Sequence, residues 1–496
     1  MADNISTVGK KIKALANPLR DEGIGSGDYL EQITYLLFLK MIDEYSKPPY
    51  NKPSNLPDGC SWADLICLSG EALDKKYKDI LSTLGQSGGI LQEIYEDADS
   101  KIKKPALLKK VIAMIDGENW VSMAADVKGA AYEELLKEYA EDTKSGAGQY
   151  FTPRALINTM VKCIAPEPDK TICDPACGTG GFLLSAYDFL SNPKNGMMTR
   201  DQKAFLKTKA LHGTELVQST YRLCLMNLFL HGIGDIHSDQ TNINRADSLL
   251  TKPSESYDYV LANPPFGKKS SLTLTNEEGE EESEELVYSR SDFWTTTSNK
   301  QLNFVQHIWS ILKTSGKAAV VVPDNVLFEG GAGDTVRRKL LQKTNLHTIL
   351  RLPTGLFYKQ GVKANVIFFD NALPSEEWRT KEVWVYDFRT NQHFTLKQNP
   401  MKESDLDDFV ECYCSGHFED RKPTYTPENP NGKWRRYNLQ EIADNGYSLD
   451  LKWISEGDEG DDMTVAEIMS TMKEKSDEIA NAIKELESLL REIEDD

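Results

Sequence analysis

From residue 150 onward the chain alternates short, almost continuously apolar runs with longer stretches of helical spacing. The runs are TICD (171–174), ALHGTEL (210–216), YDYVLA (257–262), KAAVVV (317–322), TILRL (348–352) and NVIFFD (365–370). A strand with one wet face alternates apolar and polar residues, whereas a nearly unbroken apolar run belongs to a strand covered on both faces. The pattern therefore predicts an α/β fold with a doubly wound, mostly parallel sheet.

The remaining segments read differently. Residues 1–145 are predicted to be a helical domain. Ser26 or Asp28 is placed to cap a helix carrying Tyr29, Leu30, Ile33, Leu36, Leu37 and Met41, and further helical pieces follow at 111–115 and 130–139. Residues 146–400 hold the sheet, 401–462 form a mixed connecting segment, and 463–496 an amphipathic helix. In that tail Val465, Ile468, Met472, Ile479, Ile483, Leu486, Leu490 and Ile493 make a seam that needs another helix to pack against. NEEGEEESEEL (276–286) is acidic and of low complexity, and is expected to be a solvated loop.

With 496 residues the chain exceeds one ordinary core. Its longest apolar run, Tyr35 to Leu39 continuing at Met41 and Ile42, falls short of a membrane span, and no signal sequence opens the chain, so a cytoplasmic protein without a membrane partner is expected. Eight scattered cysteines read as reduced core fillers. Cys412, Cys414 and His417 lack a second ligand pair at zinc-finger spacing, so no metal site is assigned. The net charge of −20 argues against a chain that grips nucleic acid alone through phosphates.

Chemistry-bearing residues cluster at the predicted strand ends. DPACGTGGF (174–182) follows the first run and precedes a helix: its glycines permit a sharp turn and close backbone approach, and Asp174 can face an ammonium group. The spacing departs from the dinucleotide fingerprint, which disfavours NAD. Glu215 ends the second run, where a carboxylate can accept from both hydroxyls of a ribose or simply cap a helix. In GQYFTPR (148–154) Thr152 reads as an N-cap with Pro153 as first helical residue, while its aromatic, hydroxyl and guanidinium groups would suit the methionine end of a cofactor. Asn263, Pro264, Pro265 and Phe266 stop a predicted central strand. Two prolines make a rigid turn without N–H groups, so the Asn263 amide oxygen and the Pro264 carbonyl form a pair of acceptors for one NH2 group, and Phe266 can stack on the ring that bears it.

DPACGTGGF followed by NPPF and preceded by GQYFTPR resembles the amino-methylating DNA methyltransferases, and most closely the modification subunits of type I restriction-modification systems. The resemblance spans nearly the whole chain. It implies a Rossmann-like S-adenosylmethionine-dependent methyltransferase fold over residues 146–400, and methyl transfer to the N6 amine of adenine in DNA. The cofactor would be held by Gln149, Tyr150, Phe151, Thr152, Pro153, Arg154, Asp174, Thr179, Gly180, Gly181 and Glu215, with Asp247 at the family's adenine-binding acidic position. Asn263 to Phe266 would hold the target base. The acidic insertion just after this loop departs from the family pattern.

The acidic charge, the want of an obvious base-reading module and the seam in need of a helical mate point to a separate specificity subunit docked on the tail, with two copies of this chain per complex and a restriction subunit as a further candidate partner. A protein-glutamine methyltransferase uses a similar NPP loop on an amide and is the competing reading. A cofactor-binding scaffold for a nuclease is a third; no trustworthy nuclease constellation is present in this chain.

Overall fold

The computed structural model describes residues 14–123, 152–235, 241–266, 271–275, 281–285, 287–357, 363–392, 394–395 and 399–454, with 129, 132–133 and 135–136. Contacts divide the chain into residues 1–451 and 452–496, and every described helix and strand belongs to the first unit. The seam from Val465 to Ile493 lies outside the described residues, as do Gln149, Tyr150 and Phe151.

The N-terminal helices are α1 (Ser26–Ser46), α2 (Trp62–Ile66), α3 (Gly70–Leu84), α4 (Gly89–Tyr95) and α5 (Pro105–Asp116). Helix α1 begins at Ser26 with Gly25 at its cap and no side-chain cap bond, so neither Ser26 nor Asp28 caps it. It is buried from Tyr29 through Glu44 nearly all round, because other helices and the sheet domain enclose it. Its polar residues find partners there: Lys40 Nζ donates to Asp116 Oδ1 at 2.8 Å, the Trp62 indole donates to the same oxygen at 2.7 Å, and Glu44 Oε2 accepts from the Val121 amide. No described helix is long and apolar enough to cross a membrane.

Beyond residue 150, α6 (Arg154–Ile164) leads into β1 (Ile172–Asp174), α7 (Gly181–Ser191), α8 (Arg200–Thr208), β2 (Leu211–Glu215), α9 (Gln218–Leu230), β3 (Ile243–Arg245) and β4 (Tyr257–Ala262). A hairpin of β5 (Ser271–Thr275) and β6 (Glu281–Glu285) follows, then α10 (Lys300–Ile311), β7 (Leu312–Pro323), α11 (Asp324–Phe328), α12 (Ala332–Lys343), β8 (Thr344–Arg351), β9 (Ala364–Asn371), β10 (Glu382–Asp387), α13 (Asp407–Tyr413) and β11 (Trp434–Asn438). The main sheet runs β11-β10-β8-β9-β7-β4-β1-β2-β3, with β9 antiparallel to β7 and β8, and β11 antiparallel to β10. All other pairings in it are parallel. Each apolar run of the sequence is a strand of this sheet, and its last strand comes from beyond residue 400.

β1 lies between β2 and β4, with Asp174 opposite Gly213 on one side and Cys173 opposite Val260 on the other. The chain winds outward through β2 and β3, then returns to the opposite side of β1 as β4. At such a reversal the connections leave the carboxyl edge in opposite directions, which opens a crevice there. Asp174 ends β1 and Asn263 directly follows β4, so both stand at this crevice.

The acidic run expected as a solvated loop is in part a strand: Leu272 pairs with Glu284 and Leu274 with Glu282 across an antiparallel ladder. Ladder bonds join backbone groups whatever the side-chain charge, and SLTLT has the period-2, Thr-rich pattern of a strand in need of a partner. The edge strand β11 is likewise unmarked in the sequence, because WRRYN buries only Trp434 and Tyr437.

At the far side of the sheet, Arg351 at the end of β8 meets Asp387 at the end of β10, with Nη1 to Oδ2 at 2.6 Å and side chains 3% and 0% exposed. Asp387 also accepts from the amides of Arg389 and Thr390. Asp387→Ala should lower unfolding free energy by about 3–5 kcal/mol in denaturant titration, because Arg351 then stays buried without its counter-charge.

Candidate active site

Three loops meet at the crevice. The first leaves β1 at Asp174 and is drawn toward β2, where the Cys177 amide donates to the Thr214 carbonyl at 3.0 Å. Gly178 and Gly180 have φ of +54° and +85°, a region that favours glycine, and a Cβ on Gly180 would stand 3.1 Å from the Cys224 sulfur. Gly180, at the cap of α7, brings no side chain to bond the first amides of that helix. Asn227 of α9 donates to the Thr179 carbonyl at 2.9 Å, fixing the loop from below.

Two carboxylates flank this loop. Asp174 is 1% exposed, and its Oδ1 accepts from the Ala176 amide at 3.0 Å. Burial pushes its carboxyl up to about 8, opposed by that amide and reinforced by the charge of Glu215. Glu215 accepts from the Gly178 amide through Oε2 at 3.0 Å and from the Val217 amide through Oε1 at 2.8 Å; burial raises it too, partly offset by those amides. Among the described residues neither carboxylate forms an ion pair with a cation of the chain, so this pair suits a ligand that brings its own positive charge and hydroxyl donors. Beyond Glu215, Leu216 and Val217 are 62% and 42% exposed, apolar surface that a flat ring could cover.

The second loop follows β3. Asp247 Oδ1 accepts from the Leu249 amide at 2.9 Å, Oδ2 accepts from the Tyr288 hydroxyl at 2.8 Å, and Ser248 Oγ donates to the Pro175 carbonyl at 2.6 Å. The loop of Asp247 is thus attached to the glycine loop. Tyr288, which packs with Leu249 and Phe304, is a site residue that the sequence does not single out; nothing in its local pattern marks it.

The third loop is NPPF. Asn263 is 9% exposed; its Nδ2 donates to Thr152 Oγ1 at 2.8 Å while its Oδ1 is buried without a partner. Gln301, near the start of α10, donates to the Pro265 carbonyl at 3.4 Å. Phe266 is half-buried, its ring meeting that of Phe357 edge to face at 5.5 Å. A buried amide oxygen without a donor is costly, and it fits a site that awaits an N–H group.

Helix α6 starts at Arg154 with Pro153 at its cap and no side-chain cap bond, so Thr152 is not the N-cap the sequence suggests; its oxygen is taken by Asn263 instead. Arg154 donates to the Gly181 carbonyl at 3.0 Å and pairs with Asp188 and Glu133 at 3.1 and 3.3 Å, so its guanidinium holds the glycine loop against neighbouring helices. The structure therefore brings Thr152, Asp174, Thr179 to Gly181, Glu215, Asp247 and Asn263 around one crevice.

Residues 123–462 match the N-6 DNA Methylase family, and residues 8–115 match the HsdM N-terminal domain. The chain is 36% identical to the type I restriction enzyme StySPI methylase subunit of Salmonella potsdam, over 97% of this chain and 94% of that protein. It is 35% identical to the type I restriction enzyme EcoKI methylase subunit of Escherichia coli (strain K12) over the same shares. Among solved structures, the EcoKI M protein superposes with a TM-score of 0.54 at 32% identity, covering 97% of this chain and 96% of that one. A chain from a structure of type I R-M system assembly and conformational transition gives a TM-score of 0.74 at 25% identity, covering 98% of each.

The raised Asp174 carboxyl makes the stability of the ligand-free protein depend on pH. Above about pH 4 the unfolded chain releases this proton, whereas the folded chain keeps it until about 8; the folded state binds the extra proton in that window, so stability falls as pH rises through it. Asp174→Asn should flatten this slope between pH 4 and 8 in denaturant unfolding without ligand. An unchanged slope would mean that Asp174 is ionised in the folded protein.

Proposed function

Because the chain belongs to the N-6 DNA methylase family and, within it, to the methylase subunits of type I restriction enzymes, we propose that its adenine-specific methyl transfer takes place on a base turned out of the duplex into the Asn263–Phe266 loop. The observation that carries this reading is the buried, unpartnered Oδ1 of Asn263 at the carboxyl end of β4, next to β1 and its glycine loop. S-adenosylmethionine, on which catalysis in this family depends, supplies a methyl group on a positively charged sulfur. The residues fit such a ligand: the glycine loop turns through positive φ at Gly178 and Gly180, Glu215 and Asp174 offer carboxylates for ribose hydroxyls and an ammonium, and Asp247 is read as the carboxylate nearest the cofactor's adenine.

The chain's own part in the chemistry is positioning and electrostatics. The exocyclic amine of adenine is a weak nucleophile because its lone pair is delocalised into the ring. Asn263 Oδ1 and the Pro264 carbonyl would accept its two hydrogens, favouring a pyramidal nitrogen and stabilising the positive charge that grows on it as the new bond forms. The prolines keep these acceptors fixed, and Gln301 steadies the carbonyl of Pro265. Phe266 would stack on the extruded ring. The amide-methylating alternative shares the loop, but family membership favours DNA.

With a net charge of −20 the chain is poorly suited to select a DNA sequence by phosphate and base contacts of its own. Selection therefore falls to a separate specificity subunit that supplies base reading and docks on the tail, in a complex with two copies of this chain and, optionally, a restriction subunit. The names of the relatives, methylase subunits of type I restriction enzymes, support a multi-subunit enzyme.

Asn263→Ala should leave cofactor affinity near that of the parent and cut methyl transfer on the order of 10²- to 10³-fold, read as tritium incorporation into DNA. Glu215→Ala should do the opposite first, weakening cofactor binding in calorimetric titration. Full activity in Asn263→Ala would remove the target pocket from this loop. The purified chain alone should bind cofactor yet methylate DNA poorly until a specificity subunit is added; site-specific methylation by the lone chain would overturn the partner assignment.

A further inference from the structure

The two ends of a carboxamide are almost the same size but opposite in hydrogen bonding: one accepts and the other donates. If Asn263 receives a substrate amine, only the oxygen can face it, since an NH2 group turned toward another NH2 group offers donor against donor. Something has to hold the amide the right way round. The Pro-Pro turn cannot, because it fixes the backbone and leaves the last side-chain torsion free.

We propose that Thr152 is a positioning residue for methyl transfer: its hydroxyl, bonded to Asn263 Nδ2, anchors the far end of the amide and so holds the side chain with Oδ1 toward the reacting nitrogen. This role rests on the reading of Asn263 as the acceptor of the target amine. The hydroxyl lies 2.8 Å from Nδ2, and both side chains are buried, at 8% and 9% exposure, so the bond is shielded from water. The hydroxyl has no capping duty at α6 to compete for its oxygen. The Oδ1 left over is buried with no donor of the chain, which is the arrangement expected of an acceptor kept for a ligand.

Its location also couples it to the glycine loop. Thr152 is two residues from Arg154, whose guanidinium grips the Gly181 carbonyl in that loop. One short segment therefore touches the loop that would hold the methyl donor and the side chain that would hold the methyl acceptor. Tied at both ends, it helps fix the angle between the two groups that must align for an in-line displacement.

The test uses the methyltransferase assembled with its specificity subunit, at saturating cofactor and DNA. Thr152→Val keeps the shape and removes the acceptor; Thr152→Ala removes it without adding bulk; Thr152→Ser keeps it. Both hydroxyl-free variants should lose kcat on the order of 10- to 100-fold with the loss in kcat rather than in KM for cofactor, and the Ser variant should recover most of it. In an Asn263→Ala background, Thr152→Val should cost nothing more, because the amide it orients is gone. A kcat retained by Thr152→Val or Thr152→Ala while Asn263→Ala is inactive overturns the positioning role alone, as do losses that multiply in the double variant or a loss confined to KM for cofactor. Activity retained by Asn263→Ala sinks the underlying reading of the loop instead, so the two failures are told apart.

Discussion

Parallel strands all end on the same edge of their sheet, and an edge is covered wherever successive connections turn the same way. Between β1 and β4 they turn opposite ways. That reversal leaves the carboxyl ends of two central strands open to a ligand, and the residues with chemistry to offer stand where it leaves them: Asp174 at one end, Asn263 just past the other. The rest of the structure serves this opening. The helices beneath carry the side chains that fix its loops, and the far strands lengthen the sheet that holds them in register.

The crevice is costly to keep. It holds a buried and a half-buried carboxylate, Asp174 and Glu215, with no cation of the described chain against them, and an amide oxygen with no donor. Elsewhere in the same sheet the chain pairs such groups: Arg351 with Asp387, and Arg389 with Asp324 through two hydrogen bonds of 2.8 and 2.7 Å. At the mouth of β1, β2 and β4 the two carboxylates and the amide oxygen of Asn263 lack such partners, and a charged, hydroxyl-bearing cofactor and a base amine would match them.

Two-sided burial imposes apolar continuity, which is why YDYVLA and NVIFFD announce their strands. Edge position imposes nothing so plain: INR at β3 buries only Ile243, and WRRYN at β11 carries two arginines, a composition that guards an edge but hides the strand. The glycine loop, Glu215 and NPPF are legible because each sits next to a strand end within a few residues. The bond from Asn263 to Thr152 is not, since it joins positions 111 residues apart. Local capping rules even point away from it, because a Thr-Pro pair before an apolar helix has the form of an N-terminus, and only tertiary packing reassigns that hydroxyl.

The excursion between Phe266 and Tyr288 is tied down at both ends. Its start belongs to the NPPF turn and its end places a hydroxyl on Asp247. Between these anchors lie the β5–β6 hairpin and its acidic residues. For a flexible loop closed at fixed ends, entropy depends only weakly on length, about 0.6 kcal/mol for each doubling. A change of length or charge between these two anchors should therefore cost little, provided the turn and the tyrosine stay where they are.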